Sequence, residues 1–421
     1  MLKSKQIQSI YQGTISSYSQ VFFSNHKPFA YILLVVSFFD PGAGFAGLTS
    51  ALITNIMAYQ MGFNREEIKN GLYAFNGLLV GLGIGYYFKA SIELYIIVFI
   101  ASVLTLFFVT MIKGVLQKYN LPYLSLPFLF GIWTIIIATH YFEALGLSQR
   151  GLYTLNKLYS IGGDWAVQTF EKLSDFPLNT VVRTYFISIG SIFFQFKVIP
   201  GIILSLGLLF YSRIAFLLSV YGFSTAYLFY HILGGNIDDL TYSNIGFNYI
   251  LTAIAVGGFY MIPSRKTFLW LLALIPLVTL VTLSLSQVFA VFHLSIYSLP
   301  FNIVVLLFIY SLKFRLYPSK SLNEAYIQQN SPEKNFYFFH NQQKSSNGLT
   351  YFRLQLPFYG KWKVMQGHNG EYTHKEEWRH AWDFIIEDKE GKQFKNKGDF
   401  PHDYYCYGKS VISPGSGIVE E

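Results

Sequence analysis

Charge is what this sequence has least of. Of its 421 residues, 13% are Asp, Glu, Lys or Arg and 52% are hydrophobic, whereas soluble domains carry about 25% charged residues. That scarcity excludes a soluble globular reading for most of the chain. Leu94–Ile112, Val198–Phe210 and Thr267–Leu285 hold no charge at all. Several of these runs approach the ~20 residues that cross a bilayer. Cysteine is nearly absent. Cys406 is the only one, which excludes an intramolecular disulfide and says little about compartment. A secretory signal is not visible either: Met1 to Tyr18 is polar with no apolar core, so the first spanning segments are expected to direct insertion.

Residues 1–318 carry 18 Lys/Arg and 10 Asp/Glu, and residues 319–421 carry 13 of each. The net charge of +8 therefore belongs to the apolar part. There, loop cations set membrane orientation, and no nucleic-acid partner is expected.

The chain also repeats itself. Ser125-Leu126-Pro127-Phe128 returns as Ser298-Leu299-Pro300-Phe301, Phe75-Asn76 as Phe247-Asn248, and Gln20-Val21-Phe22-Phe23 is echoed by Ser191-Ile192-Phe193-Phe194. The offsets 298−125, 247−75 and 191−20 are 173, 172 and 171 residues. Between these anchors Gly62 matches Gly234, Gly85 matches Gly257, and Glu66-Glu67 falls on Asp238-Asp239. A duplicated membrane unit is the common architecture of transporters, with the solute site between the copies.

The predicted organisation is a membrane domain over residues 1–318, with repeat 1 at about 12–142, a connector at 143–182 and repeat 2 at about 183–315. A polar linker spans 319–349, and residues 350–421 read as a small β-rich soluble domain that stops short. The fold class is an all-α polytopic membrane protein of two inverted repeats. Each has about five helices, giving ten transmembrane elements, some broken or re-entrant. Pro127 and Pro300 sit inside apolar segments, where they are expected to break helices. Exposed backbone groups at that depth are tolerated only beside protein or a water-filled path.

Candidate path residues come in pairs. Phe23 with Phe194 and Phe75 with Phe247 offer rings for a planar solute. Leu79 and Leu251 lie one helical turn after the second pair. Ser125 and Ser298 offer hydroxyls that both donate and accept, and Gln20 and Ser191 could line a mouth or cap a half-helix. No charged residue falls within these clusters, which favours a neutral solute moving passively, because intramembrane charges mark ion and proton pathways. Asp40, before Pro41-Gly42, suits a loop or helix-cap role.

These residues resemble the urea transporter family over roughly 12–315. The run Gly71-Leu72-Tyr73-Ala74-Phe75-Asn76-Gly77-Leu78-Leu79-Val80-Gly81 is similar to the family's most specific signature. Gln20-Val21-Phe22-Phe23, the second-copy run from Phe247 to Ala255 and the two Ser-Leu-Pro-Phe runs are similar to its other motifs. The resemblance implies a homotrimer in the cell (inner) membrane with a separate urea path in each protomer. It places Gln20, Val21, Phe23, Phe75, Leu79 and Ser125 along that path from the first copy. From the second it places Ser191, Ile192, Phe194, Phe247, Leu251 and Ser298. Serine at 125 and 298, where the family has threonine, and Ser191, where it often has Gln or Glu, are departures. No catalytic residue is expected here.

Residues near the C-terminus resemble lysostaphin-like zinc metallopeptidases. Gln366-Gly367, Thr373-His374, Ala381-Trp382-Asp383-Phe384 and the run Gly408 to Val419 carry the likeness. It implies His374 and Asp383 as zinc ligands, with His380 a rival for the first, and places the third ligand beyond residue 421. Two alternatives follow: a membrane-anchored zinc peptidase acting on cell-wall peptide, and a channel for ammonia or short amides. Ammonium channels pair histidines in the pore, whereas His140 falls at the repeat equivalent of Lys313.

Overall fold

The computed structural model describes residues 2–139, 141–142, 144–148, 159–160, 162–165, 167–168, 178–235, 246–315, 322–325, 330–345 and 355–415. The chain divides into two compact units, Met1–Gln342 and Gln343–Glu421.

In the first unit, the first half runs α1 (Leu2–Gln20), α2 (Lys27–Ser37), α3 (Pro41–Gln60), the short α4 (Arg65–Lys69), α5 (Phe75–Tyr87), α6 (Ile92–Leu116) and α7 (Leu126–Thr139). The second half runs α8 (Thr180–Gly190), α9 (Val198–Tyr211), α10 (Arg213–Ile232), α11 (Phe247–Ile254), α12 (Arg265–Ala290) and α13 (Leu299–Leu312). Helix order repeats at the offset read from the sequence, apart from α4, whose equivalent positions lie outside the described residues. Among the described residues, three helices are long and apolar enough to cross a membrane: the one opening at Ile92, Arg213–Ile232 and Arg265–Ala290. α8 with its following turn and α9 are together long and apolar enough for a broken span or a re-entrant loop, bent by 80° at the break between them. Within the stretch read as a linker, Pro332–Ser345 forms α14, and the polar N-terminus from Leu2 onward is helical.

Backbone detail repeats too. Phe23 and Phe194, Asn120 and His293, and Leu124 and Tyr297 are three equivalent pairs of non-glycine residues with positive φ, between 44° and 59°. A bulky side chain in that region is rare and strained, so its recurrence at both copies marks a geometry that the surrounding packing enforces.

Pro127 and Pro300 do not break helices. Each is the second residue of its helix, α7 or α13. A first-turn proline lacks an N–H that would have had no intrahelical partner, and its fixed φ already suits a helix.

Among the described residues, α5 and α11 differ in how they end. α5 is regular through Tyr87, whereas α11 continues as a π turn over Ala255–Tyr260. A π turn accommodates one extra residue. Accordingly the offset is 172 at Phe75 and Phe247 and 173 at the bridges that end each element. There Phe88 pairs with Leu147, and Met261 with Glu324.

In the second unit the described residues hold two short strands, β1 (Lys363–Gln366) and β2 (Asp383–Ile385), paired antiparallel. Among the described residues the β structure of this unit is this pair and one isolated antiparallel bridge, Phe394 with Tyr404.

Candidate functional site

Among the described residues of the first unit, those buried as whole residues with polar side chains are neutral Ser, Thr, Asn or Gln, tyrosines aside, while the charged Glu333 is half-buried. Several of these converge where the two halves meet.

α1 ends at Gln20, and the turn after it brings the Phe23 N–H onto the Gln20 carbonyl at 2.9 Å and the Ser24 N–H onto the Ser19 carbonyl at 3.0 Å. The same turn recurs after α8. The Phe194 N–H donates to the Ser191 carbonyl at 3.0 Å and the Gln195 N–H to the Gly190 carbonyl at 3.1 Å. Each turn throws its phenylalanine into the opposite half. Phe23 has the rings of Phe259, Tyr260 and Phe301 at 5.4, 5.7 and 6.3 Å. Phe194 has those of Tyr86 and Phe128 of the first half at 6.2 and 6.3 Å, and that of Tyr297 from its own half at 6.1 Å. Phe301 and Phe128 are repeat equivalents, as are Phe259 and Tyr86, so the exchange is reciprocal. Val21 and Ile192 are buried beside these turns.

Phe75 and Phe247 open α5 and α11. Phe75 is buried and its ring stacks on Tyr123 at 5.8 Å, while Phe247 is partly buried. Leu79 and Leu251, one turn on, are buried.

The sequence motif Phe-Asn proves as informative for its asparagine as for its ring. Asn76 Nδ2 donates to the Leu124 carbonyl at 3.2 Å, and its Oδ1 accepts the Phe128 N–H at 3.0 Å. Asn248 does the same in the second half, to the Tyr297 carbonyl at 2.9 Å and from the Phe301 N–H at 3.2 Å. Each amide satisfies backbone groups that a helix start leaves without intrahelical partners, and so fixes the turn that presents Ser125 or Ser298.

Those two serines meet. Ser125 Oγ and Ser298 Oγ are hydrogen-bonded at 2.7 Å. Asn302 holds the pair: its Nδ2 donates to Ser125 Oγ at 2.8 Å and to the Ser298 carbonyl at 2.7 Å, and its Oδ1 accepts the Ser125 N–H at 3.1 Å. Two hydroxyls carry two protons, and their mutual bond uses one. The pair therefore keeps one donor and lone pairs for a passing group. Asn302 has no counterpart, because Leu129 occupies the equivalent position, and so a search for repeated residues passes over it.

Gln20 is 94% buried, and its Nε2 has no hydrogen-bond partner. A buried donor left unpaired is costly unless a carbonyl oxygen or water reaches it. Ser191 Oγ donates to the Ser188 carbonyl at 2.7 Å, which leaves its lone pairs as acceptors. Asp40 lies at the start of α3, where its carboxylate accepts the Ala43 N–H at 3.2 Å. Asp238-Asp239, His140 and the middle of the connector lie outside the described residues.

In the second unit His374 and Asp383 are adjacent, Nε2 to Oδ1 at 3.2 Å, and the His374 Nδ1 lies 2.8 Å from the Gly367 carbonyl. Gln366 Nε2 donates to Asp383 Oδ2 at 3.1 Å. The rival, His380, accepts from Arg379 Nε at 3.0 Å. Among the described residues no cluster of three His, Cys, Asp or Glu exists. A catalytic zinc needs three protein ligands and an open position, so these residues do not complete such a site.

Comparison with known proteins gives one consistent family. Urea transporter 1 of mouse is 23% identical over 296 residues, spanning 69% of this chain and 74% of the mouse protein. Urea transporter 1 of sheep is 24% identical over 319 residues, with the same coverage of each chain. Residues 11–313 match the urea transporter family as a whole, and the chain belongs to that family.

Proposed function

We propose that this protein lets urea cross a membrane passively, along a path lined by both halves of its first unit. The observation that carries the reading is the Ser125–Ser298 pair. These are two neutral hydroxyls from equivalent points of a duplicated sequence, bonded to each other and framed by aromatic rings exchanged between the halves. Urea is planar and uncharged, with amide donors and one carbonyl acceptor. Rings accept its faces, serine lone pairs accept its N–H groups, and Gln20 Nε2 supplies the donor that its carbonyl needs. The neutrality of the buried polar groups fits a solute that moves without an ion.

On this reading Gln20, Val21, Phe23, Phe75, Leu79 and Ser125 line the path from one half, and Ser191, Ile192, Phe194, Phe247, Leu251 and Ser298 from the other. The halves are oppositely oriented repeats that make ten membrane elements, and the protein is a homotrimer in the cell's inner membrane. Matching helix order, matching positive-φ residues and the reciprocal ring exchange support the repeat. For the second unit, His374 and Asp383 offer two positions to a zinc ion. A third ligand would have to come from outside the described residues.

Stopped-flow efflux from liposomes holding the full chain tests the function. Urea efflux that is fast and saturable, with glycerol slow, is the expected result. Urea efflux no faster than from empty liposomes, from protein shown to be folded, would sink it.

A further inference from the structure

Among the described residues, the first half caps α3 from within. Asp40 caps α3 with its own carboxylate. Gly85 of α5 lies against the first turns of α3, where an added Cβ would stand 2.5 Å from Ala46 Cβ and 2.7 Å from the Gly42 carbonyl. The second half is built differently. At the position equivalent to Asp40 stands Ser212, whose Oγ accepts the Ala215 N–H at 3.0 Å and which brings no charge.

The missing carboxylate arrives from beyond the repeat. Glu333, at the start of α14, accepts from Ser212 Oγ at 2.9 Å and from the Ile214 N–H at 2.8 Å, both through Oε1. An anion at a helix N-terminus is favoured by the dipole and by the free N–H groups. Its neighbour Pro332 lies on Gly258, where an added Cβ would stand 2.8 Å from Pro332 Cγ. Glu333 thus adds from a distance the carboxylate that Asp40 supplies within the first half, and Pro332 packs on Gly258 beside Leu218 of α10.

Gly258 belongs to the π turn. Residues 323–325 tie down the end of that turn, with the Ala325 N–H donating to the Tyr260 carbonyl at 2.8 Å and the Ile262 N–H to the Asn323 carbonyl at 2.8 Å, just as the Ser148 N–H reaches the Tyr87 carbonyl at 2.8 Å and the Lys89 N–H the Gly146 carbonyl at 2.9 Å in the first half. The turn's last two residues, Phe259 and Tyr260, are the rings nearest Phe23. One continuous set of contacts therefore runs from Glu333 to a path residue. Glu333 Oε2 is buried without a partner, an arrangement that lowers stability on its own account.

We propose that Glu333 is a positioning residue for solute passage. By docking α14 it holds Pro332 on the π turn, which sets Phe259 and Tyr260 against Phe23 and so fixes the width that discriminates urea from bulkier amides. This rests on the reading of Phe23 as a path residue.

The test compares urea and methylurea efflux from liposomes holding the full chain. Glu333→Ala should lower the urea-to-methylurea ratio by about threefold to tenfold, part of the roughly tenfold or more that a fitted site gains from one methyl group. Gly258→Ala, which pushes Pro332 away with Glu333 intact, should shift the ratio the same way. Glu333→Gln, which keeps an acceptor oxygen, should hold it near wild type. Ser212→Asp with Glu333→Ala returns a cap within the chain without docking α14, so it should restore the melting temperature but leave the ratio low. An unchanged ratio in Glu333→Ala, or a ratio restored by Ser212→Asp, would overturn the proposal and leave Glu333 a helix cap. If Phe23→Ala leaves the ratio unchanged, the path reading fails first. If Phe23→Ala shifts it and Glu333→Ala does not, only this inference fails.

Discussion

The two halves of the first unit share their turns and differ in their attachments. Positive φ at Phe23 and Phe194, the amide clamps of Asn76 and Asn248, and the two first-turn prolines are the same in both. Among the described residues, the π turn, the Asn302 amide and the carboxylate that Glu333 lends to α10 belong to the second half alone. What the copies kept is the geometry that presents rings and hydroxyls to their common interface. What diverged lies one layer behind it, where the second half meets the rest of the chain. The path reading therefore predicts equal responses at shared positions and unequal ones at the divergent positions.

The largest effect is expected at the shared rings. Phe75→Asp and Phe247→Asp should each reduce urea flux to the bilayer leak while leaving assembly, followed by size-exclusion chromatography, intact. A charge at membrane depth costs about 2.5–3.5 kcal/mol on insertion scales, which corresponds to roughly a hundredfold in a rate. If only one of the two abolishes flux, the halves do not contribute alike. Asn76→Leu and Asn248→Leu should lower stability by similar amounts, about 1–3 kcal/mol for each buried group left unpaired, read as thermal melting in detergent. Asn302→Leu, which copies Leu129, should cost less than either clamp and should release the Ser125 N–H. Gly85→Ala should cost about 1–3 kcal/mol, as overpacking does, because its neighbours are backbone and a short side chain within helix α3. Gly258→Ala should cost less, because Pro332 can move away.

The repeat and the aromatic and hydroxyl pairs were legible in the sequence because duplication gives a control for every anchor. The asparagines of Phe75-Asn76 and Phe247-Asn248 were in view, yet their role depends on a carbonyl and an N–H about 50 residues away, which no local pattern encodes. The two Ser-Leu-Pro-Phe runs read as breaks inside helices. The structure makes them helix starts, because the backbone turn at Leu124 and Tyr297 comes first. Asn302 and Glu333 escaped for the same reason: a search by symmetry finds only what both copies carry. The step in offset from 172 to 173 was visible, but it takes the π turn at Ala255–Tyr260 to explain it.

The smallest effect lies in the second unit, the region with no repeat. Asp388 is held below the usual carboxylate range, first by the Lys392 N–H and then by the Glu390 N–H and the Tyr405 hydroxyl. Asp403 is held low chiefly by the Asn396 amide. A lowered folded value stabilises above the ordinary aspartate range and loses that stabilisation as pH falls through it. Hydrogen-exchange protection over residues 388–405 should therefore drop modestly in acid. The Asn76 clamp, built from neutral groups, should be unaffected over the same range.

The central claim is that a neutral path through both halves carries urea without coupling to any ion. Urea efflux from liposomes holding the full chain, measured with and without imposed proton, sodium and potassium gradients, tests it most directly. The account predicts fast efflux at one rate under every gradient. Efflux no faster than from empty liposomes, or a rate that follows one of the ions, would contradict it.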